Sequence, residues 1–107
     1  MGHARVTEAQ LMKATLDLAR LKSWRIARFP ATNVRDGKHL RLGWDTRGFP
    51  DVLLVRDRLM TIEFKSDTGV LSVDQQNWST WLGKALVEDW VIRPQLWLDG
   101  TVERILA

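Results

Sequence analysis

Two apolar runs separated by a three-residue turn constrain the fold most strongly. Residues 51–55 read Asp-Val-Leu-Leu-Val and residues 59–65 read Leu-Met-Thr-Ile-Glu-Phe-Lys, with only residues 56–58 between them. Short apolar runs bounded by polar turn residues are typical of buried strands. A connection this short joins antiparallel neighbours, because parallel strands need a crossover of a dozen residues or more. The sequence therefore predicts a buried antiparallel hairpin.

Two capping boxes predict where the long helices begin. Thr7 with Gln10, and Ser72 with Gln75, have the spacing at which each side chain caps the other's backbone N–H. The first helix is predicted over residues 7–22, with an apolar stripe at Leu11, Ala14, Leu18 and Leu21. The second is predicted over residues 72–86, with Trp78, Trp81, Leu82 and Ala85 facing inward.

The remaining segments complete a small α/β domain. Residues 24–29 and 90–93 read as strands that stop at prolines, and residues 99–106 read as a short helix. Residues 30–48 form a long polar loop with a short strand near residues 40–42. The predicted order is α-β-β-β-α-β-α, a small mixed β-sheet flanked by helices in a single domain over residues 1–107.

Composition excludes several classes of function. The chain has no cysteine, which excludes disulfides, cysteine-ligated zinc and thiol catalysis. No stretch approaches the roughly 20 apolar residues of a membrane span, and the first residues do not resemble a signal peptide. We therefore expect a cytoplasmic protein without a membrane partner.

Basic residues are concentrated in the middle of the chain. The net charge is only +3, yet residues 23–64 contain eight Lys or Arg and five acids. This pattern suits a polyanion such as DNA, although an ordinary solvated surface accounts for it equally well. The predicted DNA contacts are Arg35, Lys38, Arg41 and Arg47. Trp44 in the same loop is a candidate for stacking on a base, whereas His3 and His39 have no ligand spacing and are expected at the surface.

Three residues of the predicted hairpin carry the chemistry. Glu63 and Lys65 are two apart on one strand, so their side chains point to the same face, and charges there are costly to bury without partners. Asp51 begins the neighbouring strand and can approach Glu63. Two converging carboxylates favour Mg²⁺ or Mn²⁺, and the adjacent lysine can orient water or stabilise a phosphate. The alternative is an edge strand whose Glu and Lys face solvent.

Pro50-Asp51 followed by Glu63-Phe64-Lys65 resembles the signature of PD-(D/E)XK nucleases. Together with Gly48, Leu71-Ser72, Gln75 and Trp78, it resembles the virus-type replication-repair nuclease family, VRR-NUC. That family carries G-x-P-D, E-x-K and L-S-x-x-Q-x-x-W in this order. The likeness spans nearly the whole chain, and the opening helix and Arg93-Pro94 are similar to standalone phage or prophage members.

The resemblance implies a restriction-endonuclease-like core and a role for each matching residue. Asp51 and Glu63 would bind the divalent metal, with the backbone carbonyl of Phe64 as an extra ligand, and Lys65 would position the attacking water. Glu8 matches an acid that completes the metal site, although the helix dipole also favours an acid there. Gln75 matches a residue that orients Lys65 or the substrate phosphate, although its capping role also explains it.

The resemblance also implies the substrate. Standalone members of the family resemble Holliday-junction resolvases, so we expect structure-selective cleavage of branched DNA by a homodimer acting in a bacterial host. One alternative is a nuclease-like accessory module of a phage replication complex that binds DNA without cutting it. Another is a sequence-specific restriction-type endonuclease, which the absence of an obvious base-reading domain makes a weaker expectation.

Overall fold

The computed structural model describes residues 5–29, 34–35, 38–39 and 45–107, and for residues 34–35 and 38–39 the backbone alone. The elements are α1 (Glu8–Leu21), β1 (Arg25–Arg28), β2 (Val34–Arg35), β3 (Lys38–His39), β4 (Val52–Val55), β5 (Leu59–Phe64), α2 (Val73–Lys84), β6 (Glu88–Ile92), α3 (Pro94–Leu98) and α4 (Thr101–Leu106). Both predicted capping boxes are present. The short strand predicted at residues 40–42 lies outside the described residues, while β2 and β3 form a small separate sheet that was not predicted.

The main sheet has four strands in the order β1-β4-β5-β6. Strands β4 and β5 form the predicted antiparallel hairpin, with Val52 opposite Ile62, and β1 is antiparallel to β4 on its other side. Strand β6 is parallel to β5, and α2 supplies the crossover that a parallel connection requires. The prediction of a compact α/β domain with a mixed sheet flanked by helices is confirmed.

The two faces of this sheet differ in chemistry. One face is apolar and packs against α1 and α4 in a core made of Leu11, Ala19, Trp24, Val52, Leu54, Met60, Ile62, Phe64, Ile92, Val102 and Leu106. Because strand residues alternate in direction, the opposite face carries Thr61, Glu63 and Asp89, together with apolar residues such as Leu53 and Val91. There Asp89 accepts hydrogen bonds of 2.7 Å from both Thr61 and Ser79, the latter on α2. Helix α2 is therefore attached to the sheet through polar contacts.

The predicted inward side of α2 is wrong. None of its residues is buried, Trp81 is 64% exposed and Ala85 is exposed, whereas Trp78 and Leu82 are half-buried. The physical reason is that α2 makes polar contacts with the sheet beneath it. The helix presents Gln75 and Ser79 to the sheet, one turn apart, and this orientation turns the Trp81 side chain toward solvent.

The predicted stripe of α1 is also partly wrong. The buried residues are Leu11, Thr15 and Ala19, and Leu21 is 83% exposed. These positions follow the i, i+4 ridge of the helix, and the helix ends at Leu21 before a turn in which Ser23 has a φ of 69°. Leu18 still packs against the core from a half-buried position.

Two arginines of the basic middle segment support the fold itself. Arg56 and Arg58 place their guanidinium groups 4.5 and 5.1 Å from the ring centroid of Trp24. Arg56 also donates 3.0 Å to the carbonyl of Lys22, and Arg58 donates to the carbonyl of Ile105 and pairs with Glu88. These two cations are held by the protein's own groups, which lowers the basic charge presented to a partner. Within the described part of the chain, no helix has the length and hydropathy needed to cross a membrane.

Gly48 fixes the approach of the loop before β4 to the start of α2. Its φ is +83°, a conformation that favours glycine. A Cβ built there would lie 2.4 Å from the backbone carbon of Asp74 and 2.6 Å from the backbone nitrogen of Gln75. Backbone atoms cannot move aside as the end of a flexible side chain can. The glycine of the Gly48-Phe49-Pro50-Asp51 sequence therefore has a packing reason.

We predict that Gly48→Ala lowers the free energy of unfolding by about 2–4 kcal/mol, from left-handed strain together with overlap against α2. The matched control is Gly83→Ala in α2, where a Cβ meets nothing within 4 Å. This control should stabilise the protein by about 0.5–1 kcal/mol, since alanine favours a helix. Urea denaturation of both variants checks the prediction, and equal stabilities of the two would contradict it.

Candidate active site

The β4–β5 hairpin places Asp51 beside Glu63. Val52 pairs with Ile62, and continuing this antiparallel register by one residue puts Asp51 opposite Glu63. Residues directly opposite one another project to the same face, with Cβ atoms about 4.5–5.5 Å apart. The two acids thus face the same region of space at the end of the hairpin where β4 begins.

Asp51 is held at both its backbone and its side chain. Its carbonyl accepts 2.8 Å from the backbone N–H of Phe29, which extends the pairing of β1 with β4. Its Oδ2 accepts 2.8 Å from the backbone N–H of Phe64. One carboxylate oxygen is therefore oriented by the neighbouring strand.

Among the acids in the described part of the protein, Glu63 has the most strongly shifted pKa. Its exposed fraction is 7%, and its Oε2 accepts 3.0 Å from Nε2 of Gln75. Burial and the like charge of Asp51 raise the pKa of Glu63 from 4.5 to about 8, against a partly offsetting attraction to Lys65. Full ionisation of the site is therefore unfavourable, a condition that a bound cation relieves.

Lys65 lies between two acids. Its Nζ is 3.7 Å from Oε2 of Glu63 and 4.0 Å from Oε1 of Glu8, and its side chain is 13% exposed. Glu8 is half exposed at the first turn of α1, and its negative charge also contributes to the raised pKa of Glu63. The structure therefore brings the predicted Glu8 to the site, in contact with Lys65.

Gln75 is both a capping residue of α2 and a hydrogen-bond partner of a site residue. Its Oε1 accepts from the backbone N–H of Ser72 in the capping box, and its Nε2 donates to Glu63. The cap fixes the side chain so that its amide nitrogen points at the carboxylate. Beyond the cap, its side chain contacts Glu63, and Glu63 in turn lies beside the Lys65 ammonium.

These residues line one open cleft of about 750 Å³. The walls come from α1, β1 and the N-terminal end of α2, and they include two cations, Lys13 and Arg28, that were not predicted as site residues. Arg28 is exposed at the end of β1 opposite Val52, and Lys13 pairs with Asp17 at 2.7 Å. The signal for Arg28 was its place beside Asp51 on the neighbouring strand, which only the sheet order reveals.

Arg93 braces the turn that follows Lys65. Its Nη1 donates 2.7 Å to the carbonyl of Ser66 and 2.7 Å to the carbonyl of Gly69. The backbone N–H of Lys65 donates 3.0 Å to the carbonyl of Ile92 on β6. The backbone around Lys65 is thereby fixed from the β6 side.

The donor set suits a divalent cation that prefers oxygen ligands. Asp51 and Glu63 offer carboxylate oxygens on one face, and Glu63 is destabilised as an anion in the absence of a cation. Among the described residues no group of three or more His, Cys, Asp or Glu converges on one point. A Mg²⁺ or Mn²⁺ ion here would complete its shell with water and main-chain oxygen, and the role of the Phe64 carbonyl stays a prediction.

The predicted DNA-binding residues are only partly described. Arg47 is exposed, with 87% of its side chain accessible, and its Nε lies 4.0 Å from Asp74. Arg35 and Lys38 belong to β2 and β3. Their side chains and that of His39, together with all of His3, Arg41 and Trp44, lie outside the described residues.

Comparison with protein-family models, curated proteins and solved structures found no match to this chain. The assignment of its chemistry therefore depends on the site alone.

We predict that the stability of the metal-free protein falls as the pH rises from 5 toward 8 because of Glu63. An acid whose pKa is raised on folding holds its proton more tightly in the folded state. Its contribution is complete below its unfolded pKa of 4.5 and is lost as the pH rises through about 8. Glu63→Gln imitates the neutral acid, so the free energy of unfolding of the parent should fall relative to this variant by on the order of 4 kcal/mol at most.

Denaturation at pH 5 and pH 8.5 in a chelator, with Glu103→Gln on the exposed side of α4 as the control, measures this difference. Parallel pH profiles for the parent and Glu63→Gln would contradict the prediction.

Proposed function

We propose that this chain is a divalent-metal-dependent DNA endonuclease of the PD-(D/E)XK kind, resembling VRR-NUC nucleases in its motifs, that cuts branched DNA such as Holliday junctions. The observation that carries the proposal is the placement of Asp51 opposite Glu63, with the Lys65 ammonium 3.7 Å from Glu63. This is the arrangement that the motif Pro50-Asp51 followed by Glu63-Phe64-Lys65 requires.

Each residue then has a role in phosphodiester hydrolysis. A bound Mg²⁺ or Mn²⁺ supplies Lewis-acid activation of water and of the phosphate oxygens. Asp51 and Glu63 hold that ion, and Lys65 orients the attacking water and stabilises the charge that develops on the phosphate. Gln75 keeps the Glu63 carboxylate turned toward the cleft. Glu8 limits the movement of the Lys65 ammonium.

Two cations beside the paired acids could hold the backbone of the proposed DNA substrate. Lys13 and Arg28 stand at the walls of the cleft, where they can contact the phosphates on either side of the scissile bond. Such contacts read the backbone without reading bases, which suits selection by DNA shape. The cleft is open, as the passage of a polymer requires.

A homodimer follows from the reaction proposed. The described residues of each chain form one site of this type, and resolution of a four-way junction requires two cuts. Two copies would place two such clefts on one junction. A 12.4 kDa domain also gains stability by burying further surface against a second copy.

One observation favours a second candidate, a DNA-binding module that does not cut. The described residues lack a third acid converging with Asp51 and Glu63, so the protein supplies only two carboxylates to an ion. In that case the same cleft would bind phosphates through its cations alone.

We predict that the parent protein cleaves a labelled four-way junction in Mg²⁺ or Mn²⁺, and that Lys65→Ala lowers the rate at least about 100-fold. The control is Lys22→Ala, at the end of α1 and away from the cleft, which should retain the parental rate. Forked, nicked and fully paired substrates tested in parallel report shape preference. Absence of cleavage by the parent in both metals, with DNA binding retained, would support the non-cutting module instead.

A further inference from the structure

Trp81 presents a large indole to solvent. The side chain is 64% exposed on α2, a helix with no buried residue. A large aromatic surface left in water loses the free energy that burial provides, and such surfaces often mark sites of interaction. The Nζ of Lys84 lies 4.6 Å from the centroid of the Trp81 ring and makes a cation–π contact with it.

Trp81 forms one wall of a groove of about 370 Å³. Trp78, three residues earlier on the same helix, also lines the groove; its indole N–H donates 2.9 Å to the carbonyl of Asp45, and its ring meets Phe49 edge-on at 4.9 Å. These contacts hold Trp78 in place. The groove therefore combines one indole that is held in place with one that is largely exposed, and an exposed indole offers a flat surface on which another ring can stack.

The polar groups of the groove indicate what kind of ring it fits. Asp45, Asp74 and Asn77 line it together with Arg47. Carboxylates accept hydrogen bonds from the amino groups of bases, and an amide both donates and accepts. Two carboxylates would repel a phosphate group placed among them. Arg47, whose Nε lies 4.0 Å from Asp74, and Lys84, beside the Trp81 ring, offset these two acids, so a neutral base suits the groove better than a phosphate.

Two elements, α2 and the loop before β4, connect the groove to the cleft. Trp81 lies six residues beyond Gln75 on α2, a rise of about 9 Å. The loop from Asp45 to Asp51 runs from the groove to the cleft, and Gly48 in this loop contacts the start of α2. The groove and the cleft thus share α2 and the loop from Asp45 to Asp51, so a DNA strand that crosses both would have a phosphate at the cleft and a nucleotide at the groove.

We infer that the groove between Trp78 and Trp81 binds one unpaired DNA base next to the cleavage site, with Trp81 as the stacking surface. The inference rests on the proposed function for its substrate. In a paired duplex every base is stacked within the helix, so this groove favours substrates with unpaired nucleotides, such as open junctions, flaps and gaps. Stacking of a base on an aromatic side chain tolerates any sequence.

The test measures binding without cleavage. Fluorescence anisotropy in a chelator compares a labelled duplex carrying a short single-stranded gap with the same duplex fully paired. Trp81→Ala should weaken binding to the gapped duplex about 5- to 150-fold, and leave the paired duplex within about twofold. Trp81→Phe should recover part of the affinity because it keeps a ring. The matched control is Trp97→Ala, an indole 39% exposed on α3, which should bind both duplexes as the parent does.

The outcomes separate this inference from the proposed function. Loss confined to the gapped duplex supports the groove, whether or not the parent cuts DNA in metal. Equal affinities of Trp81→Ala and the parent for the gapped duplex, or an equal loss on both duplexes, would overturn it. A change in the solution mass of Trp81→Ala without a change in DNA affinity would also overturn it, because the indole would then contact a second copy of the chain.

Discussion

The site depends on the placement of two acids opposite one another across β4 and β5. Asp51 and Glu63 share a face of the sheet, and Glu63 is almost fully buried. Burial, together with the like charge of Asp51, raises the pKa of Glu63 to about 8, so the ionised pair is unfavourable. The neighbouring groups reduce this cost: the Phe64 N–H binds Asp51, the Gln75 amide binds Glu63, and the Lys65 ammonium lies near both Glu63 and Glu8. A divalent cation would remove most of the remaining repulsion.

The polar residues on one face of the sheet determine how α2 is oriented. Glu63 and Asp89 lie on this face and accept hydrogen bonds from α2, so the helix attaches by Gln75 to Glu63 and by Ser79 to Asp89. Its first turn is fixed by the capping box at Ser72 and by the close approach of Gly48. The same attachment leaves Trp81 in solvent. The positioning of the site and the exposure of the aromatic groove thus have a common physical cause.

The hairpin, the capped helices and the grouping of Asp51, Glu63 and Lys65 could be predicted because they follow from local rules. Strand alternation places Glu63 and Lys65 on one side, and a short turn forces the antiparallel register. The orientation of α2 could not be predicted in this way. The predicted inward stripe consists of Trp78, Trp81, Leu82 and Ala85. That prediction assumes an apolar sheet surface beneath the helix. Nor could the sequence separate Arg56 and Arg58, which stack on Trp24, from Arg28 in the cleft. That distinction depends on contacts between residues far apart in the chain.

Calorimetric titration with Mn²⁺ tests the central claim most directly, because it asks whether the paired acids bind an ion at all. The account predicts one ion per chain at pH 8, with affinity lowered at least about tenfold by Asp51→Asn, which keeps the shape of the side chain and removes its charge. Glu88→Gln, which removes an acid bonded to Arg58 and Trp90 away from the cleft, should bind as the parent does. Equal affinities of the parent and Asp51→Asn, or no binding by a folded parent, would contradict the account.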